Sequence, residues 1–406
     1  MKKLIDYLQS PAAIRERCDR LFNLALDDKL CYFRVDLSKL ERCADYVIQV
    51  MRDDYPNLDI PFHSRWRHFE VGNVSRIAEL DAALAEFSPL EKAKVKFDLA
   101  IISVLLDAGA GANWQYLEQE TGQVFRRSEG LAVASFRMFL QGAFSSNSGL
   151  LWQADAKGLQ SLDLTALQQG FQVRENNILV GSEGRLKLLQ SLGKVLNEKP
   201  EIFGQENPRP GNMVDYLLNQ GNHQLSASQV LNAVLTGLGE IWPGRLTLDG
   251  INLGDVWIHS ALEGTQESDR FIPFHKLSQW LTYSLLEPLQ ELSVEITELN
   301  QLTGLPEYRN GGLFLDIGLL QLKNPANFQK THSVGSELIV EWRALTVILL
   351  DRIAATIRKK LNMTAIELPL VKVLQGGTWT AGRKIALELR TGGIPPIKID
   401  SDGTVF

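Results

Sequence analysis

Apolar residues recur three or four positions apart at Val95, Leu99, Ile102 and Leu106, the spacing that lines one face of a helix. Ser88-Pro89-Leu90-Glu91 stands just ahead of them, with serine as N-cap, proline at the first helical position and a glutamate placed to complete a capping box. The pattern breaks at Ala108-Gly109. Ser10-Pro11 gives the same opening, and Ser226-Ala227-Ser228-Gln229 gives a second capping box before Val230, Val234 and Leu235. After Ser336, the positions Leu338, Trp342, Leu345, Leu349, Ile353 and Ile357 predict a long helix that is apolar nearly all round. It ends in Arg358-Lys359-Lys360, cations that suit the helix dipole, and it belongs in a core. Lys276 heads a further helical stretch, Lys276 to Leu285, of mostly apolar and amide residues.

Strand patterns are shorter and flank turns. Phe171 to Arg174 and Ile178 to Val180 surround Glu175-Asn176-Asn177, and Ile397 to Ile399 and Thr404 to Phe406 surround Asp400 to Gly403. Leu246 to Leu248 and Ile251 to Leu253 surround Asp249-Gly250, a strong type I′ turn signal. With no alternation of strands and helices, the expected fold is mostly α with small β hairpins. Pro200 to Gly211 is rich in proline and glycine, and it predicts a soft boundary. On one side lies an N-terminal helical part with a small hairpin, residues 1–200, and on the other a C-terminal helical part, 201–406; a single intertwined domain is the alternative. Ile60-Pro61-Phe62-His63 recurs as Ile272-Pro273-Phe274-His275, but the following residues diverge, so the two copies are read as separate loops leading into helices.

A chain of 406 residues with 45% hydrophobic content can bury a large core. Its net charge of −6 comes with no block of like charge, which argues against nucleic-acid binding and the clustered lysines and arginines it needs. The cysteines, Cys18, Cys31 and Cys43, include no Cys-x-x-Cys pair, as expected in a reducing compartment. No long apolar run follows Lys2-Lys3, and charges interrupt the later ones, so a cytoplasmic protein without membrane contact is expected.

Several kinds of chemistry lack their motifs. His63 and His68 are five apart and no His-Glu-x-x-His occurs, so neither a metal nor another cofactor is expected. Gly109-Ala110-Gly111 follows a helix and lacks the third glycine of a dinucleotide site. Gly181-Ser182-Glu183-Gly184 misses the nucleophile-elbow spacing by one residue. Carboxylates, lysines and aromatics remain. Asp316, embedded in an apolar run behind Gly311-Gly312, reads either as a catalytic carboxylate or as an N-cap for the segment that follows. Lys276 reads either as a buried functional ammonium or as a side chain with its stem on apolar surface and its charge in water. Asp107, Glu341 and Arg343 also fit ion pairs at the core edge.

Phe274 to Leu281, with Lys276 within it, then Phe314 to Leu320 around Asp316, then Val340-Glu341-Trp342-Arg343 resemble in order and approximate spacing the queuosine-salvage family of nucleotide N-glycosidases. Asp59 to His63 resembles a segment near that family's end and Asn73 to Leu80 its beginning, an order that a circular permutation would produce. The resemblance implies a helical fold like that of the helix-hairpin-helix DNA glycosylases, with catalytic roles for Lys276 and Asp316. His275, Gln279, Glu341 and Arg343 would then lie around the substrate. Glu206 to Gly211, Gly376 to Arg383 and Ile399 to Phe406 look like an uncharacterised-domain family tied to uracil catabolism, a likeness that covers most of the chain. In that pathway a ring-opened uracil nucleotide yields ribosylurea-type intermediates, which must be cut into urea and a sugar.

The two resemblances together imply an N-ribosyl hydrolase acting on a small nucleoside- or nucleotide-derived substrate. Its oxocarbenium-like transition state calls for a carboxylate, Asp316, kept ionised by a neighbouring ammonium, Lys276. Asp107, Asn113 and Trp114 are candidate contacts to the leaving group, the alternative being a helix C-cap beside a core tryptophan. His63 and Arg65 are candidates for a 5′-phosphate. A metal-independent ureido amidohydrolase and a noncatalytic nucleotide-binding partner of the ring-opening enzyme are the rival readings.

Overall fold

The computed structural model describes residues 2–107, 109–111, 113–221, 223–242 and 245–400. Helices dominate it, and the described strands occur in two-stranded pairs. The chain divides into two units. One takes Met1–His63, Gly244–Gln279 and Glu298–Phe406; the other takes Ser64–Pro243 and Trp280–Thr297. These are not halves split near residue 200, because Pro200 to Gly211 lies inside the second unit. Each copy of Ile-Pro-Phe-His falls in the first unit at or near a point where the chain passes to the second.

The first unit is built on the Glu337–Leu361 helix, which is buried at positions on every side from Leu338 to Ile357. It packs against the Pro11–Leu26, Leu40–Asp54 and Tyr308–Ile317 helices. Ser10 caps the first of these, its hydroxyl accepting the Ala13 N–H at 3.2 Å. Ser336 precedes the long helix but turns its hydroxyl back to the Ser333 carbonyl, so it gives no side-chain cap. The expected Asp249-Gly250 hairpin is present between Thr247–Leu248 and Ile251–Asn252, with both turn residues at positive φ (52° and 76°) as a type I′ turn requires. Lys398–Asp400 pairs in parallel with Thr331–Ser333, and Thr404 to Phe406, expected as its hairpin partner, lie outside the described residues.

In the second unit the Pro89–Leu105 helix starts as its sequence predicts, with the Ser88 hydroxyl accepting the Glu91 N–H at 3.2 Å. The other half of the capping box is missing, because the Glu91 carboxylate pairs with Arg209 instead. Ala227–Leu238 has both halves, with Ser226 and Gln229 exchanging hydrogen bonds at 3.2 and 2.8 Å. Ala108, in the expected break, lies outside the described residues. The predicted hairpin at 171–180 is reduced to a single bridge between Arg174 and Asn177. The Asn177 amide bonds instead to the backbone of Gln115, on the edge of the Gln115–Leu117 and Val124–Arg126 pair.

The linker-like stretch is packed, not loose. Asp98 has no exposed surface and accepts the Arg209 Nε–H at 2.8 Å and the Gly211 N–H at 2.6 Å. A side chain on Gly211 would collide with the Lys94 carbonyl, so glycine marks close approach here and not flexibility. Burial pushes the Asp98 carboxyl up to about 6 against the pull of Arg209. Asp98→Asn keeps the shape but removes the charge facing a buried arginine, and it is expected to lower stability by about 2 kcal/mol. Chemical denaturation of the two proteins side by side measures this; equal midpoints and slopes would show that Arg209 is satisfied without Asp98.

Candidate functional site

Lys276 is placed by a strand, a strained residue and a cap. Phe271–Pro273 pairs antiparallel with Val256–Ile258, and the chain then turns at His275, whose φ of 47° is left-handed. Such a conformation costs a non-glycine residue roughly 1 to 2 kcal/mol. The buried His275 ring offsets it by donating Nε2–H to the Leu8 carbonyl at 2.9 Å, and burial lowers its pKa, keeping the ring neutral. The Lys276–Glu291 helix begins at the next residue, with its first N–H received by Asp255 Oδ2 at 3.0 Å. Asp255 also takes both ends of Arg343 at 2.8 and 2.7 Å and the Trp257 indole N–H at 2.6 Å. Burial alone would raise the Asp255 carboxyl; the charge of Arg343 and these donors hold it down to about 2. The Arg343 guanidinium lies 4.1 Å from the Phe274 ring centre. Gln279, fully buried, accepts the Thr303 N–H at 2.8 Å and donates to Thr303 Oγ1 at 2.7 Å, which ties the loop after residue 302 to the first turn of this helix.

That loop ends in Glu307, half-buried, at the N-cap of Tyr308–Ile317. One carboxylate oxygen accepts the Asn310 N–H at 2.6 Å and the other the Arg309 N–H at 2.8 Å. Burial pushes the Glu307 carboxyl above its usual range, opposed by the two N–H groups, the Arg309 guanidinium and the Lys276 ammonium. Arg309 lies 4.2 Å over the Trp379 ring, and the His63 ring is 5.5 Å from the same tryptophan. His63 Nδ1 is 2.9 Å from Gln375 Oε1; an amide oxygen only accepts, so this nitrogen carries the proton. The amide nitrogen of Gln375 has no hydrogen-bond partner among the described residues. Gln375 sits in a π-helical turn, Val373–Thr378, whose Gly376 lets the backbone close on Ile60 and Tyr55. Gln375 and Trp379 are therefore half-buried groups beside a buried His63 and Arg309 within the first unit, with the half-buried Glu307 two residues before Arg309 and under the influence of Lys276.

Burial pushes the His63 pKa down to about 4, below its usual 6.5. A folded-state pKa below the unfolded one means that the unfolded chain binds the proton first as pH falls. Stability is therefore lost between about 6.5 and 4, and His63 accounts for roughly 2 kcal/mol between pH 7 and 4.5. Urea denaturation at those two pH values should show a smaller difference by that amount in His63→Asn; an unchanged difference would mean that another group titrates.

Asp316 is elsewhere. It lies inside the Tyr308–Ile317 helix, nine positions past Glu307 and so about 13 Å along the axis, and is not an N-cap. Arg390 holds its carboxylate at both oxygens, at 2.7 and 2.6 Å, and the structure does not bring it to Lys276. The Lys276 ammonium does act on Glu307, lowering its carboxyl against the effect of burial. His275, Gln279 and Arg343 support the Lys276 turn from beneath, buried and engaged with protein groups. Glu341, with no exposed surface, accepts the N–H groups of Tyr32 and Phe33 at 3.1 and 2.7 Å and so fixes the start of Phe33–Val35.

The remaining candidates belong to the second unit. Arg65 is fully buried, donating to Asp107 and to Ser103, each at 2.7 Å, so its charge is spent inside the core and not offered to a phosphate. Trp114 is a core residue whose N–H reaches the Phe171 carbonyl at 3.0 Å, and Asn113 is exposed. Ala112, in the loop between Gly109 and Trp114, lies outside the described residues. Among the described residues no three His, Cys, Asp or Glu side chains gather as a metal-binding set, and no helix is long and apolar enough to cross a membrane.

The family described as protein of unknown function (DUF1688) matches residues 7–406. Protein urg3 of Schizosaccharomyces pombe is 42% identical over 403 residues, covering 97% of this chain and 96% of that protein. Uracil catabolism protein 4 of Lachancea kluyveri is 40% identical, covering 99% of each.

Proposed function

The chain belongs to the DUF1688 family, and on that basis we propose that it acts in uracil catabolism, as one relative's name states of that protein, by hydrolysing the N-ribosyl bond of ribosylurea or its 5′-phosphate. The observation that carries this reading is the half-buried Lys276, fixed at a helix start by Asp255 and acting on the carboxylate of Glu307, two residues before an Arg309 that stacks on Trp379, with the amide of Gln375 bonded to His63 beside that tryptophan. A ureido group presents a carbonyl acceptor, which Gln375 can meet without giving up its bond to His63. The cations suit the sugar hydroxyls or a phosphate and oppose the upward push of burial on the neighbouring Glu307 carboxyl.

Hydrolysis of this bond needs water, a group to receive its proton and hydrogen bonds to the departing urea. Purified protein should release urea and the free sugar from one of the two compounds. Ammonia and carbon dioxide as first products, or tight binding with no turnover, would replace this reading with an amidohydrolase or a noncatalytic one.

A further inference from the structure

We propose that Glu307 is the catalytic carboxylate of this site, receiving the proton of the attacking water and passing it to the leaving nitrogen; this rests on the N-ribosyl hydrolase reading above. Three observations converge on it. Its carboxylate is held by two backbone N–H groups at 2.6 and 2.8 Å, which fixes both oxygens while leaving a lone pair on each. It stands under the influence of two cations from different elements, Lys276 on the 276–291 helix and Arg309 on its own. It is half-buried and its carboxylate is held by backbone N–H groups, whereas the Asp316 carboxylate is taken at both oxygens by the Arg390 guanidinium. Capping alone does not account for glutamate here, since shorter Asp, Asn, Ser and Thr are the preferred N-caps.

In the proposed step the water oxygen bonds to C1′ as the C1′–N bond breaks, with its electron pair staying on nitrogen. The proton that water loses goes to Glu307 and then to that nitrogen, giving neutral urea and the sugar hydroxyl. Glu307 ends as it began, and no other reagent is consumed. The charged groups facing it, Lys276 and Arg309, favour the ionised form that starts the cycle.

The test uses the full chain, with ribosylurea and its 5′-phosphate as substrates, and Glu307→Gln and Glu307→Asp as variants. Aspartate is a good N-cap but withdraws the carboxylate by one methylene, so it separates capping from chemistry. Both variants are expected to lose about 10²-fold in kcat with KM changed by less than about threefold, and Glu307→Gln should flatten the acid limb of the pH–rate profile. Should Glu307→Gln fail to fold, Glu307→Asp decides. Wild-type turnover with Glu307→Asp within about tenfold of normal kcat, or an acid limb retained in Glu307→Gln, overturns the role of Glu307 while leaving the reaction in place. No urea from wild-type protein overturns the reaction itself and this role with it.

Discussion

Lys276→Met is expected to lower kcat/KM for urea release by about 10³-fold while leaving the fold intact. Methionine keeps an unbranched stem of similar length, and the cap on this helix is made by the Lys276 backbone N–H to Asp255, which the substitution does not touch. What disappears is the ammonium. Glu307 then loses one of the charges opposing its burial, so its carboxyl titrates higher and less of it is ionised at neutral pH. The acid limb of the pH–rate profile should move to higher pH, a signature that simple loss of substrate contact would not give. Steady-state kinetics with circular dichroism check both parts, and a kcat/KM within tenfold of wild type would remove Lys276 from the site.

Arg343→Met is expected to destabilise the first unit by on the order of 4 kcal/mol, lowering its unfolding temperature by about 10 °C. Arg343 is 1% exposed and is the bidentate partner of Asp255, whose side chain is 14% exposed. Removing the guanidinium leaves a nearly buried carboxylate facing only neutral donors, and the penalty is chiefly that of the unpaired charge. Adding Asp255→Asn should recover part of the loss, because an amide oxygen still accepts the Lys276 N–H without bringing a charge. Calorimetry on the two single variants and the double variant gives the coupling; strictly additive losses would show that the two side chains do not depend on each other.

The elements legible in the sequence are those whose signals are local. Ser10-Pro11, Ser88-Pro89 and Ser226 with Gln229 open helices where expected, and Asp249-Gly250 turns a hairpin, because each signal and its hydrogen-bond partner lie within a few residues. Phe33–Val35 pairs with Leu320–Leu322, almost three hundred positions away, and a three-residue strand carries no pattern that names so distant a partner. Pro200 to Gly211 misled for a related reason: its glycines and prolines look like a linker until the buried Asp98 that holds Arg209 is seen.

The site was partly legible. Lys276 stood out as a charge heading an apolar stretch. Asp316 stood out by the same logic, but a carboxylate in an apolar run fits a buried ion pair equally well, and its partner Arg390 lies 74 positions on. Glu307, Arg309 and Gln375 gave no signal, and Trp379 stood only inside the family-like stretch Gly376 to Arg383, since each is an ordinary residue until the Tyr308–Ile317 helix packs against the Trp379–Leu389 helix.

The interleaving of the two units sets an order of events on the ribosome. Residues 64–243 make up most of the second unit and emerge as one stretch, ready to fold once the strand Glu295–Thr297 arrives to pair with Gln224–Ser226. Residues 1–63 emerge earlier yet must wait longer, since Arg15 finds Asp351 across 336 positions and the Glu337–Leu361 helix of their core follows every segment of the second unit. Until that helix is made, the nascent chain carries an apolar segment without its partner, including Leu21, Phe22, Val47 and Met51, surface that is exposed to aggregation for as long as the wait lasts.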